Sequence, residues 1–264
     1  MAAKQLLIFD SGVGGLSIFQ EVIRQSPNVN CYYLSDNAYF PYGELPEAKL
    51  IKRLTALLTA FVQKYPVDTI VIACNSASTV ALASLRKHFS IPVVGVVPAI
   101  KPASLVTENG VIGLIATPAT IARDYTKQLV NEFASDKAVL NLGSTELVKL
   151  AEQKLQGQVI DKRCLQQIFS PWLKMAVPPD TLVLGCTHFP LLKSEINDCF
   201  KGAVKLVDSG EAIANRVAIL LATDNRKYEV DYHAFYTRED EKQCLLKNTF
   251  IKMGFQTFSI FSVC

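Results

Sequence analysis

The sequence predicts an α/β protein made of two similar parallel-sheet domains, with the active site in the cleft between them. Three observations lead there. Apolar strand-like runs alternate with helical runs along the chain, the pattern of parallel sheets covered by helices on both faces. The pattern restarts after the Asn109-Gly110 turn: 64 residues separate Asp10 from Cys74, and 69 separate Thr117 from Cys186. Each half also carries an apolar run that ends in a cysteine and a short polar residue, T-I-V-I-A-C-N-S over 69–76 and T-L-V-L-G-C-T-H over 181–188.

Residues 5–9 read as the first strand, and Asp10-Ser11-Gly12-Val13-Gly14-Gly15 as a turn into a helix over about 15–25. A second strand, 31–34, precedes a long polar and aromatic loop, S-D-N-A-Y-F-P-Y-G, that ends at Gly43. Over 47–64, Leu50, Leu54, Leu57, Leu58 and Phe61 fall on one face at helical spacing. Residues 67–73 form the strand before Cys74 and 77–89 its helix, with Ser76 placed to cap it. The run V-V-G-V-V over 93–97 is another buried strand, closed by Pro98.

The second half begins with a strand over 111–116, and Thr117-Pro118-Ala119-Thr120 opens a helix to about 134. A strand over 138–142 and helices over about 145–155 and 160–175 follow. Residues 181–185 lead to Cys186, with a helix over 190–200, a strand over 204–207 and a helix over 211–223. Beyond these lie a strand near 231–237 and an amphipathic patch near 240–247. The domains are expected to be flavodoxin-like or Rossmann-like and related by a pseudo-twofold axis. The first would comprise 1–98 plus 208–264, and the second 99–207. Ligands of open parallel sheets bind at the carboxyl ends of the strands, where all the polar turns lie.

Half of the 264 residues are hydrophobic and the net charge is only +3. No basic run stands out, so nucleic acid and acidic membranes are poor partners. No apolar run reaches the roughly 18 residues of a membrane span, and the first residues run straight into a strand without signal-peptide anatomy. A cytoplasmic protein is expected. The seven cysteines, 31, 74, 164, 186, 199, 244 and 264, include no C-x-x-C, which argues against a disulfide framework or structural zinc. Cys31, Cys164, Cys199, Cys244 and Cys264 read as small core hydrophobes. Cys74 and Cys186 differ, because each sits where a strand gives way to a helix.

A thiol of pKa ~8.5 is only slightly ionised at neutral pH. A helix N-terminus and a nearby donor favour the thiolate, so both thiols are expected below that value. One such cysteine suggests a nucleophile. Two in related positions suggest an acid and a base on opposite faces of one substrate, as inversion of a stereocentre needs, each worth roughly 10² to 10⁴ in rate. Ser11, Asn75, Ser76, Thr117, Thr120 and Thr187 offer an amide and hydroxyls for a small zwitterion, and helix N-termini offer N–H groups to carboxylates. Asp10, Glu152 and His188 are the ionisable candidates for assisting the cysteines. Each has an ordinary reading too: a cap, a solvated helix residue and a packed ring.

Together, Asp10-Ser11-Gly12-Val13-Gly14-Gly15-Leu16, Pro41-Tyr42-Gly43, Ala73-Cys74-Asn75-Ser76-Ala77 and Leu184-Gly185-Cys186-Thr187-His188-Phe189-Pro190 resemble the glutamate racemases, as do Gly95-Val96-Val97-Pro98-Ala99 and Asp208-Ser209-Gly210. The resemblance covers nearly the whole chain in order. It implies racemisation between L- and D-glutamate without a cofactor, supplying D-glutamate for peptidoglycan. It makes Cys74 and Cys186 the acid/base pair, Cys74 serving D-to-L deprotonation and Cys186 L-to-D, with Asp10 assisting near Cys74 and Glu152 and His188 near Cys186. Ser11, Pro41, Tyr42, Gly43, Asn75, Ser76, Thr117, Thr120 and Thr187 would line the substrate site, with Asp10, Cys74, Cys186 and His188 also in contact. The expected partners are the small-molecule substrate and a second copy of the chain in a homodimer.

Two departures bear on this. Ser76 stands where the family usually has Thr, which keeps a hydroxyl and removes a methyl. Ser144-Thr145-Glu146 stands where the family tends to read Cys-Pro-Leu, which bears on the carry-over to Glu152. The chain also lacks the N-terminal extension of members activated by a peptidoglycan precursor, so no such activation is expected.

Rival readings are less well carried. Aspartate racemases tend to have Glu where His188 follows Cys-Thr. A dinucleotide module would use the glycine-rich turn with Asp36 beyond it, but D-S-G-V-G-G is not G-x-G-x-x-G and Asp10 would repel a pyrophosphate. His88, His188 and His233 lack metal-ligand spacing. A pyridoxal enzyme needs a Schiff-base lysine, which no feature nominates. A non-catalytic binding protein would require neither cysteine.

Overall fold

In the computed structural model, which describes residues 3–222 and 229–262, β1 (Lys4–Asp10) is apolar on both faces because both are covered. Leu6 and Ile8 pack with Leu16 and Val22 of α1 (Leu16–Gln25), while Leu7 and Phe9 pack with Leu54, Leu57 and Phe61 on the opposite side. The chain continues through β2 (Val29–Ser35), α2 (Glu47–Lys64), β3 (Thr69–Ile72), α3 (Asn75–His88), β4 (Val93–Gly95) and α4 (Ile100–Val106). A second series follows: β5 (Val111–Ala116), α5 (Pro118–Ala122), α6 (Asp124–Phe133), β6 (Ala138–Gly143), α7 (Glu146–Leu155), α8 (Lys162–Leu173), β7 (Thr181–Leu184), α9 (Lys193–Cys199) and β8 (Lys205–Val207). Finally come α10 (Gly210–Leu221), β9 (Tyr232–Tyr236), α11 (Glu241–Lys252) and β10 (Thr257–Ile260).

Two sheets result, and every strand pair in them is parallel. The first has the order β10-β9-β2-β1-β3-β4, and the second β6-β5-β7-β8. The protein is thus built of two parallel-sheet α/β domains, as the alternation predicts. In the second, Ile112, Leu114 and Val183 face a cluster with Ile100 and Ala103 of α4, while Ile115, Leu182 and Leu184 face Phe169 and Trp172 of α8. Register then places the site. Phe9 pairs with Ile72 and Asp10 with Ser35, so Asp10, Asp36 and Cys74 leave the first sheet at one end. Ile115 pairs with Leu184, which brings Thr117 and Cys186 out together from the second.

Several expectations are corrected. The single helix expected from Thr117 to 134 is two, α5 and α6, because Arg123 between them is extended (φ −67, ψ 137) and pairs with Glu47 of α2. The helix expected over 190–200 begins as a 3-10 turn, Phe189–Leu192, and becomes α-helical only in α9. The patch near 240–247 is part of α11, whose start Asp240 caps by accepting from the Lys242 and Gln243 amides. Helix α4 and strand β10 were not foreseen. Cys244 is exposed on α11, not a core residue, and Cys164 and Cys199 are half-buried. Cys264 and residue 223, the end of a predicted helix, lie outside the described residues. Among the described residues no helix is long and apolar enough to cross a membrane.

Candidate active site

The strand ends converge on an open cavity of about 600 Å³. From the first sheet come Ser11 after β1, the Phe40–Glu44 loop after β2, and Cys74, Asn75 and Ser76 after β3. The second sheet supplies Thr117 after β5 and Cys186, Thr187 and His188 after β7. Both thiols line the cavity, and none of the described residues lining it is lysine or arginine.

Cys74 is the last extended residue before α3 and is buried. Its Sγ lies 3.7 Å from Ser11 Oγ. Burial pushes this thiol far up from its ordinary value, and the Asp10 carboxylate adds to that, against hydrogen bonds from the Ala77 amide and Ser11. The expectation of a depressed Cys74 pKa is therefore corrected. A helix N-terminus contributes about 0.3–1 kcal/mol, whereas full burial can move a pKa by several units. Asp10 is also buried, and desolvation raises its pKa. Its Oδ2 accepts from the Gly15 amide, while its Oδ1 has no partner among the described residues.

Cys186 is set differently. No α-helix follows it directly, so the helix-end argument does not apply to it; a histidine stands beside it. His188 Nδ1 lies 3.7 Å from Cys186 Sγ, and Nε2 lies 2.7 Å from Glu152 Oε1. Burial opposes the imidazolium, but hydrogen bonds and charge from Cys186 and Glu152 prevail and hold His188 well above its ordinary pKa. When protonated, the ring donates from Nε2 to Glu152 and from Nδ1 to the sulfur. Glu152 Oε1 also accepts from the Val13 amide at 3.0 Å, so it is fixed by the first sheet's turn.

The hydroxyls of Ser76, Thr117 and Thr120 form a triangle with sides of 3.2, 3.4 and 2.9 Å. Ser76 does not cap α3, which starts one residue earlier; Thr117 caps α5 by accepting from the Thr120 amide. The buried Asn75 Oδ1 has no partner among the described residues. Of the sequence-predicted residues, Ser11, Pro41, Tyr42, Gly43, Cys74, Asn75, Ser76, Thr117, Cys186, Thr187 and His188 line the cavity. Asp10 and Thr120 stand behind it with no exposed surface, and Glu152 stands behind His188. Phe40, Glu44, Pro118, Ala119, Thr145 and Val148 also line it and were not foreseen. Phe40 belongs to the aromatic loop and Thr145 to the Ser144-Thr145-Glu146 departure, both visible signals; Val148 gave none.

Residues 15–217 match the sequence model of the Asp/Glu/Hydantoin racemase family, the class that this fold and site define. A glutamate racemase of Pectobacterium atrosepticum is 50% identical over 232 residues, 88% of this chain and 81% of that one. The crystal structure of Escherichia coli glutamate racemase with L-glutamate and activator UDP-MurNAc-ala superposes with a TM-score of 0.95 at 45% identity, covering 99% of both chains. That of Francisella tularensis with D-glutamate gives 0.78 at 25% identity, covering 100% of this chain and 99% of that one. The chain belongs to this family, among its glutamate racemases, and is an isomerase.

Proposed function

We propose that the protein interconverts L- and D-glutamate by proton transfer between the substrate Cα and two thiols, without a cofactor. The observation that carries this reading is that Cys74 and Cys186, from different sheets, line one cavity. On D-glutamate, Cys74 takes the α-proton: the C–H bond breaks and an S–H bond forms. The Cys186 thiol then delivers its proton to the opposite face, and its S–H bond breaks as the new C–H bond forms. From L-glutamate the roles reverse.

The side chains suit this assignment. The His188–Glu152 pair keeps a proton beside Cys186. Asp10 opposes the Cys74 thiolate by its charge, and Asn75 Oδ1, unpartnered among the described residues, is placed to accept from the α-ammonium. The substrate's own ammonium offsets the charge that Cys74 develops in a buried site. The Ser76 and Thr117 hydroxyls, backed by Thr120, and the N–H groups opening α3 serve carboxylates without an arginine. Ser11, Pro41, Tyr42, Gly43 and Thr187 complete the substrate site.

The reading extends to residues 1–98 plus 208–264 as one domain and 99–207 as the other, a homodimer, and a cytoplasmic role supplying D-glutamate for peptidoglycan. Its test is proton NMR in D₂O with L-glutamate, and L-aspartate in parallel, and no added cofactor. Loss of the glutamate α-proton signal with D-glutamate appearing is the expected result. Exchange of aspartate alone would change the substrate, and no exchange with either would remove the reading.

A further inference from the structure

We propose that Ser17 is a positioning residue for Cys186, an inference that rests on the glutamate reading above. Ser17 is buried in the first turn of α1 and does not line the cavity. Its Oγ lies 2.8 Å from the Gly14 carbonyl, in the turn that opens its own helix, and 2.8 Å from the Thr187 carbonyl, in the turn after β7. A serine hydroxyl has one proton. The bond to Gly14 is one that a serine in a first turn makes by itself; the bond to Thr187 ties the two sheets together. Thr187 Oγ1 in turn donates at 2.9 Å to the carbonyl of Ala73, the residue before Cys74. The two thiol-bearing turns are therefore bonded to each other, and Ser17 anchors the Cys186 turn to α1.

The turn before α1 holds the rest of that thiol's apparatus. A Cβ on Gly14 would lie 2.4 Å from His188 Nδ1, and one on Gly12 would lie 2.5 Å from Glu152 Oε1. The glycines of D-S-G-V-G-G leave room for the groups that serve Cys186, with the Val13 amide bonded to Glu152 between them. The turn that imitates a phosphate loop is thus a seat for His188 and Glu152, and Ser17 locks the backbone that carries Cys186 and His188.

The enantiomers are equal in free energy in an achiral solvent, so kcat/KM is the same in both directions for any variant. Displacement of one thiol shows instead in primary isotope effects with α-deuterated L- and D-glutamate. Ser17→Ala is expected to lower kcat roughly tenfold to a hundredfold with KM little changed. The kcat/KM isotope effect should rise from the L side, where Cys186 removes the proton, and fall from the D side. Ser17→Thr keeps the hydroxyl and should restore the wild-type symmetry. Wild-type kcat with symmetric isotope effects in Ser17→Ala overturns the proposal. So does an equal loss in both variants with symmetric effects, which marks a general structural role. An inactive wild-type protein would instead overturn the glutamate reading itself.

Discussion

Burial alone would strip the proton from His188. The Glu152 carboxylate and the Cys186 sulfur, one at each ring nitrogen, reverse that outcome. The raised pKa has a consequence for stability. A folded value above the unfolded ~6.5 contributes stability that is complete below that pH and lost as the pH rises through the folded value. Thermal unfolding of the wild type should therefore lose ground against His188→Gln as the pH is raised from about 6.5; a constant difference would contradict the buried imidazolium. Gly14 carries a sharper prediction, because any side chain there meets the His188 ring. Gly14→Ala should lower kcat roughly a hundredfold in a protein that still shows native circular dichroism. Unchanged turnover would mean that the ring has no fixed seat. Cys74 was legible as a reactive thiol from its place after a strand, but not its raised pKa, which depends on burial under residues distant in sequence.

Among the elements, α2 was the most readable. Its five predicted core residues, Leu50, Leu54, Leu57, Leu58 and Phe61, are all fully buried, because one periodic face meets one sheet face. Leu54→Ala should cost about 2–5 kcal/mol in urea unfolding without altering KM, since α2 carries no cavity group at that position. A smaller loss would mean that the site collapses. The break between α5 and α6 was not legible, since no glycine or proline marks Arg123, whose backbone is extended. Strand β10 was missed because three of its four residues are exposed, so it lacks an apolar signature. Thr117 was legible as the opening of a helix, and its hydroxyl does accept from the Thr120 amide.

At the scale of the molecule, two parallel sheets point their carboxyl ends at one cavity, and hydrogen bonds from Ser17 to Thr187 and from Thr187 to Ala73 tie the two thiol-bearing turns together. The fold class was legible because strands and helices alternate in sequence as they do in space. The cavity's outer wall was less so, since Val148 reaches it from within α7 rather than from a strand end. The central claim is that two thiols share one racemisation. The most direct test follows α-proton exchange and optical inversion together, from each enantiomer in D₂O, for Cys74→Ala and Cys186→Ala. Racemisation should be lost in both, with slow exchange surviving only from D-glutamate in Cys186→Ala and only from L-glutamate in Cys74→Ala, because a lone base can return deuterium only to the face it serves. Wild-type racemisation in either variant would contradict the two-thiol account.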